Sequence, residues 1–274
     1  MTAPRIEITS VKNPHVRHAV RLRHNRYRKQ TGKTIVDGVR ECRRALDAGV
    51  ELHELFVDRS APETSELQYV VDSAEQKGAV IRPADPTVMD RLRFGQRTSP
   101  CVAIVSIPRY TLDQLDPPPD ACIAIVEGVE KPGNLGAILR SADGAGIAAV
   151  VAADGPTELF QPNVIRASLG TVFTIRTCSA SSAEVRQWLA ARSYQVVAAC
   201  VDGTRPYYDV DFTHPTAIIL GSEANGISPA WKPLAQSVQL PMHGIADSLN
   251  VAATAAVLFY EVLRQREVGN LEKL

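Results

Sequence analysis

The chain has 274 residues, 45% of them apolar, with 30 basic and 30 acidic side chains. This composition excludes a disordered or collagen-like chain, and the length allows one or two domains with a sizeable core. Zero net charge hides an asymmetry: residues 1–44 hold twelve basic and three acidic side chains, so this segment carries +9 and the other 230 residues carry −9.

A helix is expected over Lys12–Lys29, after the start signals Ser10 and Asn13-Pro14. It carries Arg17, Arg21, Arg23, Arg26, Arg28 and Lys29, interleaved with Tyr27 and with His15, His18 and His24. Such a basic block with an aromatic suits contact with a nucleic-acid backbone, and a solvated helix face is the plain alternative. Thr34–Gly38 reads as a short strand, Val39–Ala48 as a helix stopped at Gly49, and Leu52–Val57 as a strand. Ser65–Lys77 follows as a helix, Ala79–Arg82 as a strand, Thr87–Arg93 as a short helix and Val102–Ile107 as an apolar strand. This alternation predicts a small α/β domain over residues 1–108.

Residues 109–120, with Pro117-Pro118-Pro119, cannot continue either flanking element and read as a partly extended linker. The second domain, residues 121–274, opens with the apolar run Cys122–Val126, the signature of a buried parallel strand. A helix over Leu135–Gly144 comes next, then strands over Ala148–Ala153, Val196–Val201, Ala217–Leu220 and Val238–Leu240, and a closing helix from about Leu249 to Arg266. Strands alternating with helices predict a parallel sheet covered on both faces.

The five cysteines (Cys42, Cys101, Cys122, Cys178 and Cys200) are odd in number and lack C-x-x-C or zinc spacing, so no disulfide framework and no metal site are expected. Cys101, Cys122 and Cys200 read as reduced core residues. The start MTAPRIEITS lacks an apolar signal core, and Val251–Tyr260 is too short to span a bilayer, so the expectation is a soluble cytoplasmic protein without a membrane partner.

Three loops follow expected strand ends, where open α/β sheets bind ligands. They are Glu127–Gly136, Gly221–Gly226 and Leu240–Asn250. None contains G-x-G-x-x-G or a phosphate-cradling G-x-x-x-x-G-K-[ST], so dinucleotide and ATP binding lose their usual warrant. Taken singly, each reads equally as a glycine turn. Together they run N-x-G-x-x-x-R at 134–140, G-S-E-x-x-G at 221–226 and L-P-M-x-G-x-x-x-S-L-N at 240–250.

In order and spacing these resemble the three motifs of the SpoU (TrmH-like) family of SPOUT RNA 2′-O-ribose methyltransferases, over roughly residues 120–266. The first domain resembles the L30e-like substrate-binding domain of several members, more loosely, through Thr34–Glu41 and its strand–helix order. The resemblance implies a C-terminal parallel-sheet domain with a deep trefoil knot, S-adenosylmethionine as cofactor, RNA as partner and a homodimeric assembly. It implies a cofactor pocket made by Ala199, Cys200 and Val201, Leu220 and Gly221, Leu240, Pro241 and Met242, and Ser248 and Leu249. It makes Arg140 the essential arginine, with Asn134 and Ser248 near the reacting ribose. Glu223 is expected to orient Arg140 or contact the cofactor region, and Asn250 to fix the geometry after the cofactor loop. Arg166 resembles a further arginine that contacts target phosphate or the cofactor's carboxylate end. Among two-domain members ribosomal RNA, and 23S in particular, is the favoured target. The alternatives are a transfer RNA target, antibiotic-resistance methylation of ribosomal RNA, or a non-catalytic RNA-binding assembly factor. The intact Asn134, Arg140, Glu223, Ser248 and Asn250 argue against the last.

Overall fold

A computed structural model describes residues 7–94 and 98–271; Arg5 of the basic segment and the rest of the opening residues lie outside the described residues. The chain divides into two compact units, one of residues 1–108 with 160–174, the other of residues 109–159 with 175–274.

In the first unit, α1 (Pro14–Arg21) begins where the Asn13 side chain accepts from the His15 N–H at 2.9 Å, with Pro14 in the first turn. The single helix expected over Lys12–Lys29 is broken. A turn at Leu22–His24 separates α1 from α2 (Asn25–Thr31), which ends at Gly32 in the left-handed region with φ 67°. The break is held by Arg28, which is buried and donates to the carbonyls of Leu22 at 3.0 Å and Arg23 at 2.8 Å. The unit continues with β1 (Lys33–Asp37), α3 (Val39–Asp47), β2 (Leu52–Asp58), α4 (Ser65–Gln76), β3 (Val80–Ala84), α5 (Pro86–Leu92) and β4 (Cys101–Ser106). Its sheet has the order β1-β4-β2-β3, antiparallel except for the parallel pair β2/β3.

The segment 160–174 carries α6 (Pro162–Ala167) and belongs to this first unit, whereas the sequence boundaries place it inside residues 121–274. Thr34 Oγ1 donates to the Phe160 carbonyl at 2.8 Å, and Arg44 donates to the Leu169 carbonyl at 2.8 Å. A buried hydroxyl and a half-buried guanidinium therefore tie β1 and α3 to it.

The second unit begins at Arg109, so the proline-rich stretch belongs to it rather than spanning between units. It is not simply extended: Leu112–Gln114 form a 3₁₀ turn, Leu115 is fully buried, and Arg176 donates to the carbonyls of Leu115 and Asp116 at 2.5 Å each. The unit's strands are β5 (Cys122–Glu127), β6 (Ala149–Ala153), β7 (Arg176–Ala180), β8 (Gln195–Ala199), β9 (Arg205–Pro206), β10 (Thr216–Leu220) and β11 (Gln236–Gln239). Its helices are α7 (Pro132–Gly144), which follows β5, α8 (Ser182–Ala190) and the closing α9 (Val251–Leu271). The strands β7 and β9 carry too little apolar periodicity to be expected, and α8 lies outside the expected elements although its buried Val185, Trp188 and Leu189 keep helical spacing. The start of α8 is nevertheless chemically plain. Ser181 accepts from the Glu184 N–H at 3.2 Å while Glu184 accepts from the Ser181 N–H at 2.8 Å.

The seven strands run in the order β7-β6-β5-β10-β8-β11-β9, and all pairs are parallel. The parallel sheet expected from sequence is therefore present. Every residue of β5, β6 and β10 is buried, which is why these strands read as unbroken apolar runs. The strand order reverses direction at β5/β10, and such a switch point opens a crevice at the carboxyl ends of the strands. α9 packs on α7, where the Tyr260 hydroxyl comes within 3.0 Å of a Cβ built on Gly144. Among the described residues no helix is long and apolar enough to cross a membrane.

Candidate active site

A cavity of about 1100 Å³ lies at the carboxyl ends of β8, β10 and β11. Of the expected cofactor residues, Ala199, Cys200, Val201, Leu220, Gly221, Leu240, Met242, Ser248 and Leu249 line it; Pro241 is not among its wall residues. Cys200 is half-buried at this wall rather than a core residue, because β8 ends at Ala199. Burial pushes its thiol up, with Asp202 adding to the effect and Lys232 opposing it. Val201 is largely exposed.

The second motif forms a closed hairpin at the cavity's rim. Ser222 N–H donates to the Gly226 carbonyl at 3.1 Å, and Gly226 N–H returns to the Ser222 carbonyl at 2.9 Å. Gly221 is required there, because a Cβ at this position would meet the Gly226 carbonyl carbon at 2.2 Å and the Ile227 nitrogen at 2.5 Å. Gly226 has φ 64°, the left-handed conformation glycine tolerates best.

One hydrogen-bonded chain joins the three motifs. Asn134 Nδ2 donates to Glu223 Oε1, and Asn250 Nδ2 donates to Asn134 Oδ1 at 3.3 Å. Asn250 also accepts from the Ala252 N–H at 2.9 Å, capping the start of α9. Glu223, Ser248 and Asn250 line the cavity, and Asn134 reaches it through Glu223. Arg140 is not drawn into this chain. It is exposed on α7, is not a wall residue, and makes no hydrogen bond or ion pair among the described residues. The expected orientation of Arg140 by Glu223 is thus not seen; Glu223 binds Asn134 instead.

Of the expected RNA contacts in the first unit, Arg17, Arg21, Arg26 and Lys29 are exposed. Arg21 lies over the Tyr27 ring at 4.0 Å from its centre, and Tyr27 is held by a 2.7 Å hydrogen bond to His18 Nδ1. Three others have a different occupation. Arg23 donates to the carbonyls of Arg91, Leu92 and Arg93 at 2.8–2.9 Å, closing the end of α5. Arg28 binds the carbonyls at the α1/α2 break. Arg166 donates to the Phe94 carbonyl, while Asp37 accepts from the Phe94 N–H at 3.1 Å. Burial pushes the Asp37 carboxyl up despite that bond.

The residue sequence reasoning overlooked is Glu127, the last residue of β5. It is 6% exposed, and its Oε1 accepts from Ser182 Oγ at 2.7 Å, Trp231 Nε1 at 2.8 Å and Ser228 Oγ at 2.9 Å. Its Oε2 accepts from the Ser228 N–H at 2.7 Å. Burial pushes this carboxyl up, but the four donors outweigh burial and hold it below the usual carboxylate range. The available signal was a lone carboxylate closing a five-residue apolar run at a strand end.

Residues 121–260 match the family described as the SpoU rRNA Methylase family, and residues 13–94 match the MRM3-like substrate binding domain. The chain is similar to a solved RNA 2′-O ribose methyltransferase, with 38% identity and a TM-score of 0.84 over 96% of this chain and 100% of that one. It is similar to the SpoU methyltransferase AviRb of Streptomyces viridochromogenes, solved in complex with the cofactor AdoMet, at 29% identity and a TM-score of 0.83, covering 93% of this chain and 99% of that one. A 23S rRNA (guanosine-2′-O-)-methyltransferase, RlmB of Bordetella pertussis, is 30% identical over 233 residues, covering 82% of this chain and 94% of that protein. With the second and third motifs lining one cavity at the carboxyl end of a seven-stranded parallel sheet, and the first joined to them through Asn134, this chain belongs to the SpoU rRNA methylase family.

Proposed function

We propose that this protein transfers a methyl group from S-adenosylmethionine to a ribose 2′-hydroxyl of ribosomal RNA, with 23S RNA as the favoured target. The observation that carries the reading is the junction of all three motifs, through Asn250, Asn134 and Glu223, at the rim of the cavity.

The cavity suits the cofactor. At about 1100 Å³ it exceeds what a small ligand needs and leaves room for an entering ribose. Leu220, Leu240, Met242 and Leu249 supply apolar wall for an adenine, and the glycine-closed hairpin 221–226 forms part of the rim. When bound, the cofactor supplies an electrophilic methyl on a sulfonium, which needs little activation. The chain's own residues must place the ribose hydroxyl in line and stabilise charge developing on its oxygen. Arg140 is assigned that stabilisation. Its exposed guanidinium, which makes no hydrogen bond or ion pair among the described residues, is available to a substrate phosphate or alkoxide. Asn134 and Ser248 are assigned to the ribose, and Asn250 to holding the third motif while it caps α9.

Substrate RNA is gripped by the first unit through Arg17, Arg21, Arg26 and Lys29, four exposed cations on two short helices. A homodimer is proposed because the third-motif loop leaves Ile245 fully exposed and Leu249 partly so beside the cavity, a surface suited to a second copy. The trefoil knot is proposed for the region where the chain, after β11 beyond β8, returns through residues 240–250 to α9 on α7. Action in the cytoplasm, on RNA, goes with this reading.

The test is transfer from labelled S-adenosylmethionine to separate pools of 23S, 16S and transfer RNA from cells lacking the enzyme. Label in an alkali-resistant dinucleotide from the 23S pool is the expected result. Label confined to transfer RNA refutes the target, and base-linked label refutes the chemistry.

A further inference from the structure

We infer that Glu127 is a positioning residue for this reaction: its carboxylate fixes the loop 222–231 against the end of β5 and so sets the affinity for the cofactor. The inference rests on the functional reading above, since it takes the cavity to be the cofactor's. Three of the four donors to Glu127 come from that loop, namely the N–H and hydroxyl of Ser228 and the indole N–H of Trp231, and both residues are walls of the cavity. The fourth donor, Ser182, starts α8 and is not a wall residue. The next residue, Gly128, presses the turn after β5 toward the start of the same loop, with its Cβ position 3.4 Å from Ser222 Cβ. The loop thus meets β5 at both its ends, and Glu127 makes the polar joint.

Only an ionised carboxylate fits this place. Four donors converge on two oxygens, and no donor is required of the side chain. An amide of the same shape would turn an NH₂ toward one of those donors and leave it unpaired. Glutamine is therefore a nearly isosteric disruption of the joint, and aspartate is too short to reach both sides.

The experiment measures S-adenosylmethionine affinity by calorimetry, methyl-transfer kinetics and the thermal midpoint for the full chain and for Glu127→Gln, Ser182→Ala and Ser228→Ala. Glu127→Gln is expected to raise the cofactor Kd and KM about tenfold or more, as loss of a bond to a charged acceptor implies, while kcat at saturation stays within about threefold. Ser182→Ala also removes a bond to the same carboxylate, so it is expected to lower the thermal midpoint but keep Kd within about twofold. If Glu127→Gln does not fold, Ser228→Ala carries the test, with an expected rise in Kd of about threefold or more. An unchanged Kd in Glu127→Gln, or in Ser228→Ala where that variant carries the test, overturns the inference. So does an equal effect of Ser182→Ala, which would mark the network as merely structural. If the unmodified protein does not bind the cofactor, the functional reading itself falls, and this inference falls with it.

Discussion

Replacing Gly221 by alanine tests how the second motif builds the cavity. The new Cβ would lie 2.2 Å from the Gly226 carbonyl carbon, 2.4 Å from its oxygen and 2.5 Å from the Ile227 nitrogen. All three are backbone atoms, so no side chain can swing away. Relief to an ordinary contact of 3.4 Å needs a displacement of about 1.2 Å, the difference between 3.4 and 2.2 Å, across a hairpin closed by two hydrogen bonds. Losing both bonds costs about 1–3 kcal/mol at about 0.5–1.5 kcal/mol each. If that cost falls on the cavity, cofactor affinity drops roughly 5- to 150-fold. Gly226→Ala is the control, because a Cβ there meets nothing within 4 Å and only the left-handed φ of 64° is strained. That strain costs about 1–2 kcal/mol of folding stability while the hairpin keeps its shape, so the Kd of the folded protein is expected to stay within about threefold. Calorimetric titration of both variants with S-adenosylhomocysteine, beside their thermal midpoints, reads the difference. A Gly221→Ala protein that binds as well as the unmodified chain refutes the closed-hairpin account, and so does a larger binding loss in Gly226→Ala.

Arg140→Ala is expected to abolish methyl transfer while cofactor Kd stays within about twofold, because Arg140 contributes no wall to the cavity. Single-turnover kinetics with saturating RNA check this, and near-normal turnover removes Arg140 from catalysis. In the first unit, joint replacement of Arg17, Arg21, Arg26 and Lys29 by alanine is expected to flatten the dependence of RNA affinity on salt concentration, with little change in folding stability. Arg23→Ala is expected to do the opposite, lowering stability by about 1–3 kcal/mol through the carbonyls it abandons at the end of α5, while the salt slope of the folded protein holds. Filter-binding titrations over a salt series, paired with urea unfolding, separate the two; a reversed pattern would mean that Arg23 is the one that meets RNA.

Much of the second unit was legible from its residues. Parallel strands buried on both faces must be apolar throughout, so Cys122–Val126, Ala149–Ala153 and Ala217–Leu220 announced themselves. The three motifs were legible because a loop that closes tightly at a ligand site accepts few residue types. Gly221 is one such case, and the polar chain of Asn134, Glu223 and Asn250 is another.

Other features depend on partners far away in sequence, and no local pattern carries them. An arginine in solvent and an arginine spent on carbonyls are the same letter in a basic run. Arg23 is claimed by residues 91–93, and Arg166 by Phe94. The turn between α1 and α2 contains neither proline nor glycine; it exists because the Arg28 guanidinium can be buried against Leu22 and Arg23 carbonyls. Residues 160–174 follow a strand of the second unit, but hydrogen bonds from Thr34 and Arg44 hold them in the first. Glu127 needed the fold most of all, since its donors come from residues 182, 228 and 231. The sequence by itself determined the chemistry of the motifs and the parallel sheet that presents them, because both are imposed by short-range rules of burial and turn geometry. Which cations remain free, which carboxylate locks the cavity and which unit owns the inserted helix were decided only by the tertiary structure, because hydrogen bonds between distant residues consume polar groups that the chain displays alike.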